Sequence, residues 1–241
     1  MASREELIFK AKIAEQCERY EDCIELLKQL ILTHGSLLDE NERNLLSVAF
    51  KNVVGPKRQS WREIPAILQT FTKQEEQTIA KEYSAKIEKE IEQVCKDALE
   101  IFDKYLIPNS GPDVGAKIFY FKMKGDYLRY QAEVSSGENA LQELADKSEK
   151  AYQEALKIAS TELAPTSVIR LGLVLNYSVF LYEIRHNAEQ ACDLAKRAID
   201  DAEANIDVPD DNAGDCSMVL DLLRDNLNLW ELEVGGDKVF G

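Results

Sequence analysis

The chain has 241 residues, is 45% hydrophobic and carries a net charge of −15. It holds enough apolar material for a substantial core. It has no apolar run of about 18 residues that would cross a membrane as a helix, and so acidic a surface repels nucleic acid and anionic membranes. The five cysteines are odd in number and lack C-x-x-C spacing, and there are two histidines. This argues against a disulfide framework or a metal site, so no cofactor is expected and the cysteines read as small buried hydrophobes. The start, Met1-Ala2-Ser3-Arg4-Glu5-Glu6, lacks the apolar stretch of a signal peptide, so the chain is expected to stay where it is made.

Apolar residues recur with helical rather than alternating spacing, and glycine and proline are scarce. The pattern predicts nine helices, over about 3–17, 20–33, 39–70, 75–106, 113–134, 138–161, 166–184, 187–205 and 213–233. Turns fall at His34-Gly35-Ser36, across Pro108 to Pro112, at Ser135-Ser136-Gly137, at Pro165 and across Pro209 to Asn212. Ser3 with Glu6 has the spacing of a capping box, and Asp39 and Thr166 stand at the heads of the third and seventh helices. No Gly/Ser linker divides the chain. We therefore expect an all-α fold of nine antiparallel helices joined by short loops in a single domain over 1–233, with a glycine-rich, mobile tail over 234–241.

Within the third helix Lys51, Arg58 and Arg62 stand at i, i+7 and i+11, a basic stripe on an otherwise apolar segment. By itself such a stripe is most simply a solvated face. Gly55-Pro56 interrupts it and Pro65 follows, so a bend near residue 55 is expected, because proline removes a helical donor and crowds the preceding turn. The fifth helix carries Lys122, Asp126, Arg129, Tyr130 and Glu133 along one face. Surface ion pairs account for them, but an Arg-Tyr pair also offers a guanidinium fork and a phenolic donor to a phosphate. Asn176 and Asn226 sit on apolar stripes of the seventh and ninth helices. Each either satisfies a core backbone group or binds the main chain of an extended peptide. No G-x-S-x-G, H-E-x-x-H, Walker or G-x-G-x-x-G motif occurs, so no enzymatic activity is expected.

Four segments together carry a resemblance. RNLLSVAFKNVVG (43–55), KMKGDYLRYQAEV (122–134), IRLGLVLNYSVFLYEI (169–184) and LLRDNLNLW (222–230) resemble, in this order, the signature stretches of the 14-3-3 proteins. The similarity runs from about Leu7 to Trp230. It implies a cup-shaped protomer with an amphipathic groove, acting as a phosphoserine/phosphothreonine-dependent adaptor for phosphorylated client proteins in the cytoplasm and the nucleus. By likeness, Lys51, Arg58, Arg129 and Tyr130 would hold the phosphate. Asn176 and Asn226 would bind the ligand backbone, while Lys122, Leu175, Val179, Glu183, Leu222, Leu229 and Trp230 would line the groove. A homodimer is implied, with heterodimers open. Ile13 and Cys17 of one protomer would pack on Ile64, Ile67 and Tyr83 of the other, and Arg19 and Asp22 would pair with Glu90 and Lys86. Pro56 and Pro65 depart from the family pattern, as does Ser167-Val168 in place of a typical His-Pro. The alternative is a phosphate-independent helical scaffold of solenoid type.

Overall fold

The computed structural model describes residues 2–205 and 213–237, and all its regular structure there is helical. In chain order the helices are α1 (Arg4–Gln16), α2 (Tyr20–His34), α3 (Glu40–Leu68), α4 (Gln74–Ile101), α5 (Val114–Glu133), α6 (Glu138–Glu162), α7 (Val168–Glu183), α8 (Ala188–Glu203) and α9 (Ala213–Asp237). These match the expected nine. Helix α4 widens at its end into a π-helical turn, Phe102–Leu106, closed by the Ile107 amide donating to the Phe102 carbonyl at 2.9 Å. Helix α9 continues to Asp237, past the expected end at 233. The expected turn at Pro209 and the last four residues of the expected tail lie outside the described residues.

The helix starts follow capping chemistry, with two differences from expectation. Ser3 accepts from the Glu6 amide at 3.1 Å, but the Glu6 carboxylate pairs with Lys10 instead of closing the box. Asp39 forms the full box: it accepts from the Glu42 amide, and Glu42 reaches back to the Asp39 amide, both at 2.9 Å. Thr166 is not the cap of α7. Ser167 holds that position, and its hydroxyl makes no capping bond.

The chain divides into two compact units. The first takes in everything through Pro112 together with Val134–Ser136, and so holds α1 to α4. Its core gathers Leu7 and Ala11 of α1, Leu27 and Leu30 of α2, Leu46 and Phe50 of α3, Ile91 and Ala98 of α4, and Phe102 of the π turn. Burying a large apolar side chain is worth about 1.5–3 kcal/mol each. The α3 capping box doubles as a tie, because the buried Glu42 also pairs with Arg4 of α1 at 2.7 Å. Cys23 and Cys95 are buried here, and burial pushes the Cys23 thiol up to about 11. Cys17 departs from the buried-cysteine expectation: it is exposed.

The second unit comprises Asp113–Glu133 and the chain from Gly137 onward, hence α5 to α9. Small residues let these helices pack closely. Ala151, Ala155 and Ala159 of α6 and Ala191 and Ala195 of α8 are buried in one cluster with Ile118, Leu173, Phe180, Leu223 and Trp230. Tyr152 lies in the same cluster, wholly buried, stacked on Tyr177 with ring centroids 5.3 Å apart.

Helix α3 runs through Pro56 and Pro65 without stopping. Pro56 cannot donate to the Asn52 carbonyl, and Asn52 is exposed, so water can serve that acceptor. Gly55 has room for a methyl group, with no neighbouring heavy atom within 4 Å of where a Cβ would stand. A side chain there is disfavoured by the following proline ring instead. Pro56→Ala should therefore raise stability, by up to about 3 kcal/mol. Gly55→Ala should add a further ~0.5–1 kcal/mol only once Pro56 has been replaced. Thermal unfolding of the two single variants and the double variant checks this. Equal stabilisation by Gly55→Ala with Pro56 in place would contradict the account.

Candidate functional site

The 3.6-residue period of α5 brings Lys122, Asp126, Arg129 and Tyr130 onto one face, as expected. The structure adds that this face is not a row of solvated pairs: Asp126 is 5% and Arg129 7% exposed. Partners converge on the Asp126 carboxylate from three helices. Lys122 approaches at 3.0 Å along α5, the Tyr152 hydroxyl of α6 donates at 2.6 Å, and the Asn176 amide of α7 donates to both oxygens at 2.9 Å. Burial would raise this carboxyl, but Lys122, Arg129 and the Tyr152 hydroxyl outweigh it and hold it below its ordinary value.

Arg129 is gripped along its length. Its Nε donates to the Tyr152 hydroxyl at 3.3 Å, and its guanidinium lies over the Tyr130 ring, 4.8 Å from the centroid. Its two terminal nitrogens approach Asp126 and Glu183 at 3.6 and 3.8 Å, ion-pair distances longer than hydrogen bonds. Burial alone would disfavour the charged guanidinium, yet Tyr152, Tyr130 and Asp126 keep it firmly protonated. Tyr152 is held neutral, first by burial and then by the adjacent Asp126 charge.

Three residues of this cluster escaped the sequence reading as site elements: Tyr152, Gly125 and Ser148. A Cβ on Gly125 would stand 2.8 Å from the Tyr152 ring, and the buried Ser148 hydroxyl donates to the Gly125 carbonyl at 2.8 Å. The only sequence signal was a glycine in mid-helix directly before Asp126.

The expected groove residues of this unit divide into two kinds. Leu222 and Leu229 are about half exposed on α9, with Asn226 half-buried between them in sequence, and Leu175 and Val179 are half-buried on α7. Glu183 is exposed. Trp230 is buried instead, 3% exposed and stacked on Tyr182 with centroids 4.9 Å apart. The Tyr182 hydroxyl donates to Glu233, which helps push that phenol up to about 12.

Lys51 and Arg58 belong to the first unit, where Lys51 is exposed and Arg58 half-buried on α3. The residues expected at a dimer face lie in that unit as well. Ile13, Ile67 and Tyr83 are 45%, 47% and 58% exposed and Cys17 is open, whereas Ile64 is buried within its own chain. Arg19 pairs with Asp22 inside the chain, and Glu90 lies within 3.7–4.0 Å of Lys57 and Lys86. Between α3 and α4 opens a cavity of about 820 Å³, whose apolar lining includes Ile64, Ile67, Phe71, Ile79, Tyr83 and Ile87.

With this geometry in hand, comparison with known sequences is specific. The sequence model of the 14-3-3 protein family matches residues 10–231. The chain is 50% identical over 237 residues to the 14-3-3 protein beta/alpha of Homo sapiens, covering 98% of this chain and 95% of that one. It is 50% identical to 14-3-3-like protein 1 of Caenorhabditis elegans, covering 97% and 93%, and 49% identical to the 14-3-3 protein zeta of Bombyx mori, covering 97% and 94%.

The Asp126 network has a consequence for pH. A carboxyl whose pKa is lowered in the folded state stabilises the fold above its unfolded value and loses that contribution as pH falls through the folded value. Asp126→Asn should therefore be less stable than the parent at neutral pH, and the gap should narrow as pH falls below the ordinary value of 3.8. Urea unfolding of both proteins across the acid range measures it. Parallel profiles would show that Asp126 is not electrostatically held.

Proposed function

Because the chain belongs to the 14-3-3 family, we propose that it is an adaptor that binds phosphoserine- or phosphothreonine-containing segments of client proteins and, as a homodimer, clamps, masks or bridges them. It is not an enzyme, as its family consists of binding proteins. One observation supports the phosphate reading above the rest: a buried, permanently charged Arg129 with its stem fixed and its terminal nitrogens short of full hydrogen bonds, beside the phenol of Tyr130. A phosphate brings about −1.5 to −2 charges and three strong acceptor oxygens, which a guanidinium fork and a phenol can meet together.

Charge counting adds a requirement. Lys122 and Arg129 face Asp126 and Glu183, so these four groups of the second unit sum to zero. A dianion needs further cations, and in this proposal Lys51 and Arg58 supply them. Asn176 and Asn226 bind the ligand backbone while Leu175, Val179, Leu222 and Leu229 receive its side chains. Lys122 and Glu183 line the same groove, and the buried Trp230 shapes it from beneath. No helix among the described residues is long and apolar enough to cross a membrane, and a cytoplasmic and nuclear setting goes with this role.

For the dimer, the α3–α4 cavity takes Ile13 and Cys17 of a second copy, or of a related chain in a heterodimer. Arg19 and Asp22 then exchange their mutual pairing for contacts with Glu90 and Lys86. Two linked sites on one client gain avidity of roughly 10²–10⁴ when the spacing fits.

Arg58→Ala should weaken phosphopeptide binding by at least about 2 kcal/mol, because a charge-assisted bond is lost, and should leave the helical circular dichroism intact. Arg129→Ala should cost as much and also lower the melting temperature, since it strips Asp126 of a buried partner. Calorimetry with matched phosphorylated and unphosphorylated peptides decides. Equal affinity for the two peptides in the parent protein would favour the phosphate-independent scaffold.

The protein should sediment at about twice its 27.3 kDa chain mass. Ile13→Asp combined with Cys17→Asp should give folded monomers, because two charges would be buried at the interface. A parent protein that is monomeric at micromolar concentration would refute the dimer.

A further inference from the structure

Tyr152 is a tyrosine where packing asks only for a ring. It is wholly buried on α6, lies against Tyr177 and Phe180 with centroids 5.3 and 5.6 Å away, and fills the space that Gly125 leaves on α5. A phenylalanine would meet the same neighbours. What the hydroxyl adds is a bridge: it donates to Asp126 Oδ1 at 2.6 Å and accepts from Arg129 Nε at 3.3 Å.

The choice of nitrogen matters. A guanidinium can present a fork to an oxyanion in two ways, side-on through Nε and one terminal nitrogen, or end-on through both terminal nitrogens. Tyr152 occupies Nε, which leaves the end-on fork. Among the described residues, Asp126 and Glu183 approach the two terminal nitrogens more loosely, at 3.6 and 3.8 Å. The guanidinium rests over the Tyr130 ring, 4.8 Å from its centroid, and the Nε bond sets the direction of the fork.

We propose that Tyr152 is a positioning residue for phosphate recognition: through its hydroxyl it locks Arg129 into the end-on orientation and tethers it to Asp126, so that the fork is in place before a ligand arrives. This deepens the phosphate reading of the same cluster and rests on it. A pre-set fork loses less conformational freedom on binding than a mobile one, so the gain appears in affinity for the phosphate group itself.

The test is Tyr152→Phe in the full chain, with a phosphoserine peptide and its unphosphorylated counterpart as probes. Calorimetry should show phosphopeptide affinity reduced about three- to tenfold, the range for one lost hydrogen bond, with circular dichroism unchanged. A merely structural role is separated by repeating the substitution in an Arg129→Lys background. Lysine has no Nε fork to orient, so there Tyr152→Phe should leave phosphopeptide affinity as it is, while its effect on melting temperature persists. If Tyr152→Phe binds as tightly as the parent, or loses as much in the lysine background, the proposal is wrong and the phosphate reading stands. If the parent itself does not distinguish the two peptides, the phosphate reading falls and this proposal with it. Should the phenylalanine variant not fold, the Arg129 Nε–H resonance of the parent decides by nuclear magnetic resonance. It should exchange slowly with water both with and without phosphopeptide, and rapid exchange overturns the proposal.

Discussion

A carboxylate removed from water persists as an anion only where the protein surrounds it with cations and donors. Asp126 is such a group, and much of the second unit is arranged to satisfy it. Lys122 comes from one turn earlier on the same helix, Tyr152 from α6 and Asn176 from α7, all at 3.0 Å or less. These bonds tie three helices at one point. The arrangement explains why Gly125 precedes Asp126: any side chain there would push the Tyr152 ring away, and its hydroxyl would no longer reach the carboxylate. It also explains how Arg129 can be buried, since the charge it carries is matched by Asp126 and its stem is bonded to the same phenol.

The first unit is held by different means. Its helices present apolar stripes to one another, and polar ties are few but well placed. Glu42 caps α3 and anchors Arg4 of α1, Lys28 of α2 reaches Asp97 of α4 at 3.1 Å, and the Trp61 indole of α3 donates to Glu88 of α4 at 3.0 Å. The far parts of α3 and α4 do not close over their apolar side chains. Ile67, Ile79 and Tyr83 stay exposed around the 820 Å³ cavity, while Ile13 stays exposed on α1. Exposed apolar surface of that kind costs a chain solubility unless something covers it, which is the part a second copy plays in the proposed dimer.

The helices are legible in the sequence because apolar residues recur with helical spacing and no alternating segment competes, and because Gly35, Pro108 to Pro112 and Ser135 to Gly137 mark the breaks. The division between the units falls on the Pro108–Pro112 turn and again around Val134–Ser136, places the sequence marks only as turns. The start of α7 falls one residue past the expected Thr166, because Ser167 is a capping residue as well and the apolar pattern does not separate neighbours. Lys122, Arg129, Tyr130 and Asn176 stood out as polar groups at regular spacing, and the structure of the second unit brings these four to one cluster. Tyr152 did not stand out, because a tyrosine among Ala151, Ala155 and Ala159 reads as core. It is core, and only the third dimension shows where its hydroxyl goes. Trp230 is the converse case: periodicity put it on an apolar stripe, but a stripe does not say whether it faces a groove or its own neighbours.

The acidity of the chain bears on what such a cluster could select. Charges farther than a Debye length, about 8 Å at physiological ionic strength, are largely screened. Surface charge beyond that distance acts weakly on a bound group, while a net charge of −15 disfavours polyanions that bind by bulk field rather than by contact. Close in, Lys122 and Arg129 are already neutralised by Asp126 and Glu183. A glutamate side chain offered to this cluster brings one charge and two oxygens, and gains little against carboxylates already present. A phosphate brings up to two charges and three oxygens. Its three oxygens outnumber what the Arg129 fork and the Tyr130 phenol take, so it has one left for a further cation. In the proposed role, the resident carboxylates are thus part of the discrimination: they set a threshold of charge and geometry that an ordinary acidic side chain does not reach.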